Sequence, residues 1–333
     1  MENFVRYIIL RIFQTLIVIF IGVTIVFFVP RLTPMDPVAG TINRINAYSP
    51  MDPKAVEKLV DTLKDLYGLK GNLLEQYIRF WTRLIKGDLG PSLAMFPTPV
   101  VDVINKALPW TIGLLVTSTI IAWLLGIILG TVVGYSPNKK WAQVISIIIT
   151  CIYPVPYYII ALILVFIFAY IFPIFPLMGG TSIGLRPSFS FHFLFSLIEH
   201  GFLPAISLII GTTCFIFMTQ RALISSLTSS DFINFAEIAG LPHKKIRSYL
   251  IRNSMLPQIT DLALSLGSIF GGALMTEFVF SYPGIGQILY SAILQADFNL
   301  IMGISIFSII GVAFAALILD LIYPLLDPRI RYK

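Results

Sequence analysis

The chain has 333 residues, 57% of them hydrophobic and 12% charged, with a net charge of +6, whereas soluble domains hold roughly 45 to 50% apolar and about 25% charged residues. That balance excludes a soluble enzyme or binding module and makes this a membrane chain. The basic excess is scattered over loops rather than gathered in a patch, so no nucleic-acid partner is expected, and Cys151 and Cys214, both inside apolar windows, form neither a disulfide framework nor a metal site.

Uncharged windows run over residues 12–29, 107–138, 141–185, 200–220, 262–276 and 298–319. A span needs about 20 mostly apolar residues, so six transmembrane helices in an all-α integral membrane fold are expected. The first window is longer than the apolar core of a signal peptide, about 7 to 15 residues. It leads into "FFVPRLTPMDP" with no small-residue cleavage site, so it is expected to stay as an anchor. An outer segment, 31–107, mixes ten basic and eight acidic residues. Within it "NLLEQYIRFWTRLIKGDLGPSL" puts Leu74, Tyr77, Ile78, Trp81 and Ile85 on one helical face, as a small docked domain would.

In the second span Gly126, Gly130 and Gly134 recur every fourth residue, which lets a neighbouring helix approach closely. Packing within the fold is the expected use, a dimer seam the rival. Pro154 and Pro156 put a kink in the third span, and the rival reading has them line a substrate path. "FPIFPLMGG" at 172–180 ends that helix, and loop or a shallow re-entrant piece is expected up to Glu199.

The fifth window is bounded by Asp261 and Glu277. Its strong apolar residues contribute about −3 to −5 kcal/mol in sum, against about +2.5 to +3.5 for a central carboxylate. Both acids sit near the ends, like Asp320 in the sixth span, so the segment still inserts and the three acids are expected to reach water as structural residues, a mechanistic role being the rival. A proton or ion relay would place one deeper.

Lysines and arginines orient the chain. With the N-terminus inside, the inner side takes Arg6, Arg11, Lys139, Lys140, Arg221, Lys244, Lys245, Arg247, Arg252, Arg329, Arg331 and Lys333, while the two short outer loops hold only Arg186. Both termini are therefore expected in the cytoplasm. His192, His200 and His243 stand alone, which leaves no hydrolytic constellation, and the chain has no Gly-x4-Gly-Lys-Ser/Thr loop, so any ATP must be bound by another polypeptide.

One inner stretch, "DFINFAEIAGLPHKKIRSYLIRNSMLP" at 231–257, carries six of the forty charged residues. Ser230 or Asp231 can cap a helix over 232–239, Gly240 suits the left-handed position after it, and Pro242 blocks continuation. The first arm of this elbow is expected to expose Phe235, Ala236, Ile238 and Ala239. The second carries Lys244, Lys245, Arg247 and Arg252 back to Pro257. An apolar arm in water needs a cover: either a soluble partner docks on it, or it lies on lipid headgroups as a basic amphipathic helix.

The stretch resembles the coupling loop of binding-protein-dependent ABC importer permeases. Its Ala-x3-Gly core is matched by Ala236 and Gly240, and its Arg-Asn-x-x-Leu-Pro by Arg252, Asn253, Leu256 and Pro257; the Glu that opens the family pattern is Asn234 here. Further elements resemble the first permease subunit of oligopeptide/dipeptide-type importers. These are "RLTPMDP" (31–37, with Met35 for Gly), "KGDLGPS" (86–92), the signature "TEFVFSYPGIGQILYSAILQADFNLI" (276–301) with Glu277, Pro283, Gly284, Gly286 and Asp297 in register, and "DPRIR" (327–331).

The resemblance implies a type I ABC importer permease fold. Its parts are an N-terminal helix (1–30), an extracytoplasmic segment (31–107), a five-helix core (108–326) with coupling loop 223–257, and a cytoplasmic tail (327–333). It implies a bacterial or archaeal cell membrane, a second homologous permease, two ATPase subunits holding ATP and Mg, and an extracytoplasmic substrate-binding protein; this chain would carry no cofactor. Phe235, Ala236, Glu237, Ala239, Gly240 and Leu241 would couple to an ATPase. Oligopeptides are the expected cargo and oligosaccharides the alternative. A secondary transporter would need buried ionisable groups or inverted repeats, and an intramembrane enzyme would need a paired nucleophile and base; the sequence displays neither.

Overall fold

The computed structural model describes residues 2–32, 38, 42 and 52–326. Its helices are α1 (Glu2–Leu32), α2 (Pro53–Leu66), α3 (Leu73–Ile85), α4 (Val100–Gly134), α5 (Lys140–Ile152), α6 (Tyr157–Val165, prolonged by a π turn Phe166–Ile171), α7 (Phe191–Thr228), α8 (Asp231–Ile238), α9 (His243–Ser268), α10 (Leu274–Val279), α11 (Ile285–Leu294) and α12 (Phe298–Leu326). Among the described residues four helices are long and apolar enough to cross a membrane: α1, α4, α7 and α12. Counted as one span, the pair α5 and Tyr157–Ile171, bent by 92° at the break, makes a fifth.

The fifth expected span, 262–276, is not a helix of its own. It is divided among the end of α9, a 3-10 turn Ile269–Gly271, Gly272 at φ +73° and the start of α10. Two further expectations change. Pro257 does not end the basic arm but lies inside α9, which runs on to Ser268. Helix α7 begins at Phe191, where Ser190 Oγ accepts from the Phe193 N–H at 3.3 Å, so only 172–190 is irregular.

The chain divides into two compact units. The first holds the described residues up to Thr111 with Phe270–Leu274 and Pro283–Phe314. Its core packs Val100, Val103, Ile104 and Ala107 against Ile285, Ala292, Leu300 and Ile304. In the outer segment Asp52 caps α2, and Asn72 with Glu75 forms a reciprocal capping box on α3. Helix α3 lies along α1: Trp81 stacks on Phe20 with centroids 5.2 Å apart, Tyr77 meets Phe27 at 5.1 Å, and the hydroxyls of Tyr77 and Thr24 are 2.9 Å apart. Of the apolar face expected on α3, Tyr77 and Trp81 pack, whereas Leu74, Ile78 and Ile85 are exposed.

The second unit holds Ile112–Ile269, Met275–Tyr282 and the chain from Ala315. Here the glycine stripe packs α4 on α7. A Cβ at Gly126 would lie 2.6 Å from Ile216 Cβ, one at Gly130 2.8 Å from Gln220 Cβ, and one at Gly134 3.0 Å from Ile224 Cβ. Close approach within the chain is thus the use of the stripe. At the crossing Gln220 Nε2 donates to Thr131 Oγ1 and to Ser254 Oγ, both at 2.9 Å, and Trp123 Nε1 donates to the Gln258 carbonyl at 3.0 Å, tying α9 to α4 and α7.

Gly130→Leu should therefore force the two helices apart, at a cost of about 1–3 kcal/mol or more. A lower thermal midpoint and a broadened size-exclusion peak in detergent are expected. Gly113→Ala, where a Cβ meets nothing within 4 Å, should leave both unchanged.

Candidate functional site

The elbow in the second unit grows from the end of α7. Ser230 takes the N-cap position of α8 with φ −81° and ψ 150°, but its hydroxyl donates back to the Leu227 carbonyl and makes no side-chain cap bond. Asp231 supplies charge to the first turn instead. At the other end the Gly240 N–H donates to the Glu237 carbonyl at 2.9 Å and the Leu241 N–H to the Ala236 carbonyl at 3.1 Å, a Schellman closure with Gly240 at φ +73°. Pro242 then caps α9.

This geometry sorts the elbow residues into two sets. Ile233 and Ala236 point inward and pack with Ile224, Ile246 and Leu250, with Leu241 against them. Ala236 is therefore not on the exposed arm as expected: its small side chain is what lets α8 settle onto α7 and α9. Phe235 and Ile238 are 74% and 86% exposed and Phe232 is 44% exposed; Glu237, Ala239 and Gly240 are exposed beside them. A Cβ at Gly240 would meet nothing within 4 Å. The elbow is braced by the turn after α4, where the Tyr135 hydroxyl lies 2.8 Å from His243 Nδ1 and the Arg247 guanidinium sits 5.4 Å above the Tyr135 ring. Lys244, Lys245, Arg247 and Arg252 are exposed. The outcome is an exposed apolar row on a short helix, followed along the chain by four exposed cations and braced at Tyr135.

The signature stretch is spread over both units. In the second, Glu277 is fully buried, which corrects the expectation that it reaches water from a helix end; its carbonyl accepts from the Tyr282 N–H at 2.8 Å. Asp261 and Asp320 are half-buried. In the first unit, Pro283 and Gly284 lead into α11, and the Ile285 N–H donates to Thr111 Oγ1 at 2.7 Å. Gly286 permits a backbone crossing: a Cβ there would stand 2.6 Å from Leu274 Cα.

Asp297, also fully buried, joins two distant motifs. Its Oδ1 accepts from the Leu300 N–H at 3.1 Å, capping α12, while Oδ2 accepts from Ser92 Oγ at 2.5 Å and from the Ala94 N–H at 3.0 Å. Asn299 Nδ2 adds a bond to the Pro91 carbonyl at 3.0 Å. The "KGDLGPS" loop is shaped for this. Arg83 Nε donates to Asp88 Oδ2 at 2.8 Å and holds that carboxyl below its usual range, and Asp88 Oδ1 accepts from the N–H of Gly90, which has φ +79°. Nearby, burial, reinforced by the Asp297 carboxylate, pushes the Tyr67 phenol up to about 12.

Residues 33–37 of "RLTPMDP" and all of "DPRIR" lie outside the described residues. Arg31 is described, donating to the Phe27 carbonyl at 2.8 Å and to Gln76 Oε1 at 3.0 Å. Sequence reading missed Tyr135, Thr111 and Gln220 as positioning groups, since each acts across a long separation. Among the described residues no group of three or more His, Cys, Asp or Glu side chains could hold a metal ion.

The family model described as binding-protein-dependent transport system inner membrane component matches residues 124–332. The oligopeptide transport system permease protein AppB of Bacillus subtilis (strain 168) is 29% identical over 316 residues, covering 94% of this chain and 96% of that protein. The oligopeptide transport system permease protein OppB of Haemophilus influenzae is 28% identical over 98% of this chain and 99% of its own length. The dipeptide transport system permease protein DppB of Bacillus subtilis is 28% identical over 98% of each.

Asp297→Asn places an amide against donors and should cost about 1.5–3 kcal/mol in detergent unfolding; Ser92→Ala should cost about 1 kcal/mol. In a double-mutant cycle the two losses should be non-additive by at least about 0.5 kcal/mol.

Proposed function

The chain belongs to the family of binding-protein-dependent transport system inner membrane components, and on that premise we propose that it is one transmembrane permease of an ATP-driven peptide importer. A second, homologous permease completes the path, two ATPase subunits bind and hydrolyse ATP with Mg, and an external binding protein delivers oligopeptides. The names of the relatives support peptides over oligosaccharides as cargo. The inner-side bias of lysines and arginines supports cytoplasmic termini and a cytoplasmic elbow.

The observation that carries the reading is the rigid elbow with Phe232, Phe235 and Ile238 turned outward. A soluble ATPase groove is its cover, in preference to the headgroup layer, because the Schellman closure and the Tyr135 brace hold a short fixed projection rather than a long interfacial helix. Phe235, Glu237, Ala239 and Gly240 face the partner. Ala236 and Leu241 act from inside by fixing the shape of α8. Closure of the ATPases around nucleotide then moves the elbows as rigid levers and switches the helices between inward- and outward-facing arrangements.

Two variants test this in proteoliposomes holding the assembled complex. Phe235→Asp should weaken ATPase association by about 30-fold or more, the worth of an aromatic anchor of at least about 2 kcal/mol. Gly240→Arg, whose side chain projects into open space, should abolish peptide uptake while membrane insertion stays normal, whereas Gly240→Asn, a residue that tolerates the left-handed region, should retain uptake. Normal uptake by Gly240→Arg would sink the docking role.

A further inference from the structure

The break between α5 and α6 has no part in the elbow. Pro154 and Pro156 cause it: neither carries an N–H, so the carbonyls of Thr150 and Ile152 lose their helical donors, and Ile152 regains only a tighter bond from the Val155 N–H at 2.9 Å. The 13 residues of α5, about 20 Å of helix, separate the break from Lys139 and Lys140, whose charges hold the other end at a membrane surface. The break therefore joins two apolar halves inside a hydrocarbon core about 30 Å thick. Irregular backbone at that depth is tolerated against protein or a water-filled path and never against lipid.

Yet its own unit leaves the break uncovered. Tyr153 and Tyr157 are exposed, as are Pro154 and Pro156. With Val155, and with Gly211, Thr212 and Phe215 of α7, they line an open groove of about 470 Å³. That volume falls in the range of ligand sites, about 300–1,000 Å³, and a concavity of this size lined by rings with a few polar tips suits a small flexible molecule. The hydroxyls of Tyr153 and Tyr157 bond to none of the described residues. Gly211 keeps the groove open, because a Cβ there would come within 3.3 Å of Tyr157 Cβ.

We propose that this groove is a stretch of the solute path through the bilayer. Peptide side chains pass against the rings of Tyr153, Tyr157 and Phe215, and the tyrosine hydroxyls and Thr212 exchange hydrogen bonds with the amide groups of the moving chain. The assignment of peptide as the cargo rests on the importer reading above. Ring faces and hydroxyls accept any side chain and any amide, which is what cargo of variable sequence demands.

The assembled importer in proteoliposomes, given a randomised pentapeptide library, tests the groove. In a Cys151→Ser background single cysteines replace Tyr153, Tyr157 and Thr212, with Val18, exposed along α1, as the lipid-facing control. A charged, water-soluble methanethiosulfonate should modify the three groove cysteines and spare the control. Nucleotide should change the rate, and peptide should slow it. Thr212→Trp, which fills the groove, should cut pentapeptide uptake by about tenfold and shift the imported set toward small side chains, with the ATPases still co-purifying. If the groove cysteines resist the reagent, or react at a rate that neither nucleotide nor peptide alters, the groove is not on the path and the inference is overturned. Import of no library member by the unmodified complex would instead overturn the peptide reading, and the nucleotide dependence of labelling would still decide for or against the groove.

Discussion

The near-contact of α4 with α7 sets the geometry of the second unit. Three glycines spaced by four residues remove every side chain that would hold the helices apart, and the seam runs down to the ends from which the elbow springs. Tyr135, just past the end of α4, meets His243 at the start of α9, and Ile224 near the end of α7 enters the cluster under α8. An error in the helix crossing would be passed directly to the elbow, because only Ser229 and Ser230 stand between α7 and α8. Close packing of apolar helices, which the hydrophobic effect does not drive inside a bilayer, is thus converted into the placement of an exposed feature.

In the first unit a buried carboxylate has a comparable task. Asp297 ends one helix and receives bonds from a loop 205 residues earlier in the chain. Both of its oxygens accept hydrogen bonds, and among the described residues no opposite charge pairs with it, an arrangement that fixes direction more tightly than a long ion pair does. The loop it grips is itself folded around Asp88 and Gly90.

Local chemistry was legible in the sequence wherever it depends on neighbours in the chain. The Gly240 stop, the block at Pro242 and the break at Pro154 and Pro156 follow from backbone rules that act over a few residues. Features that depend on distant partners were not legible. Ala236 reads as exposed because its helix is apolar on more than one side, and only the presence of Ile246 and Leu250 decides which side is covered. Pro257 reads as a stop, yet bonds to Ser254 and to the carbonyl of Gln258 hold α9 on either side of it. Glu277 reads as reaching water because its depth depends on what packs around it, which a hydropathy window does not record.

The division of labour within α8 has a consequence for how such a subunit changes over time. Its inward residues, Ile233 and Ala236, answer to the fold of this chain, and its outward row, exposed, would answer to the ATPase proposed to dock on it. The two constraints fall on different positions of one short helix. Under that docking, substitutions at Phe232, Phe235 or Ile238 would retune the choice of ATPase at little cost to the packing beneath α8. A cell running several parallel uptake systems would gain in this way a means of keeping their ATPases distinct or of sharing one among them.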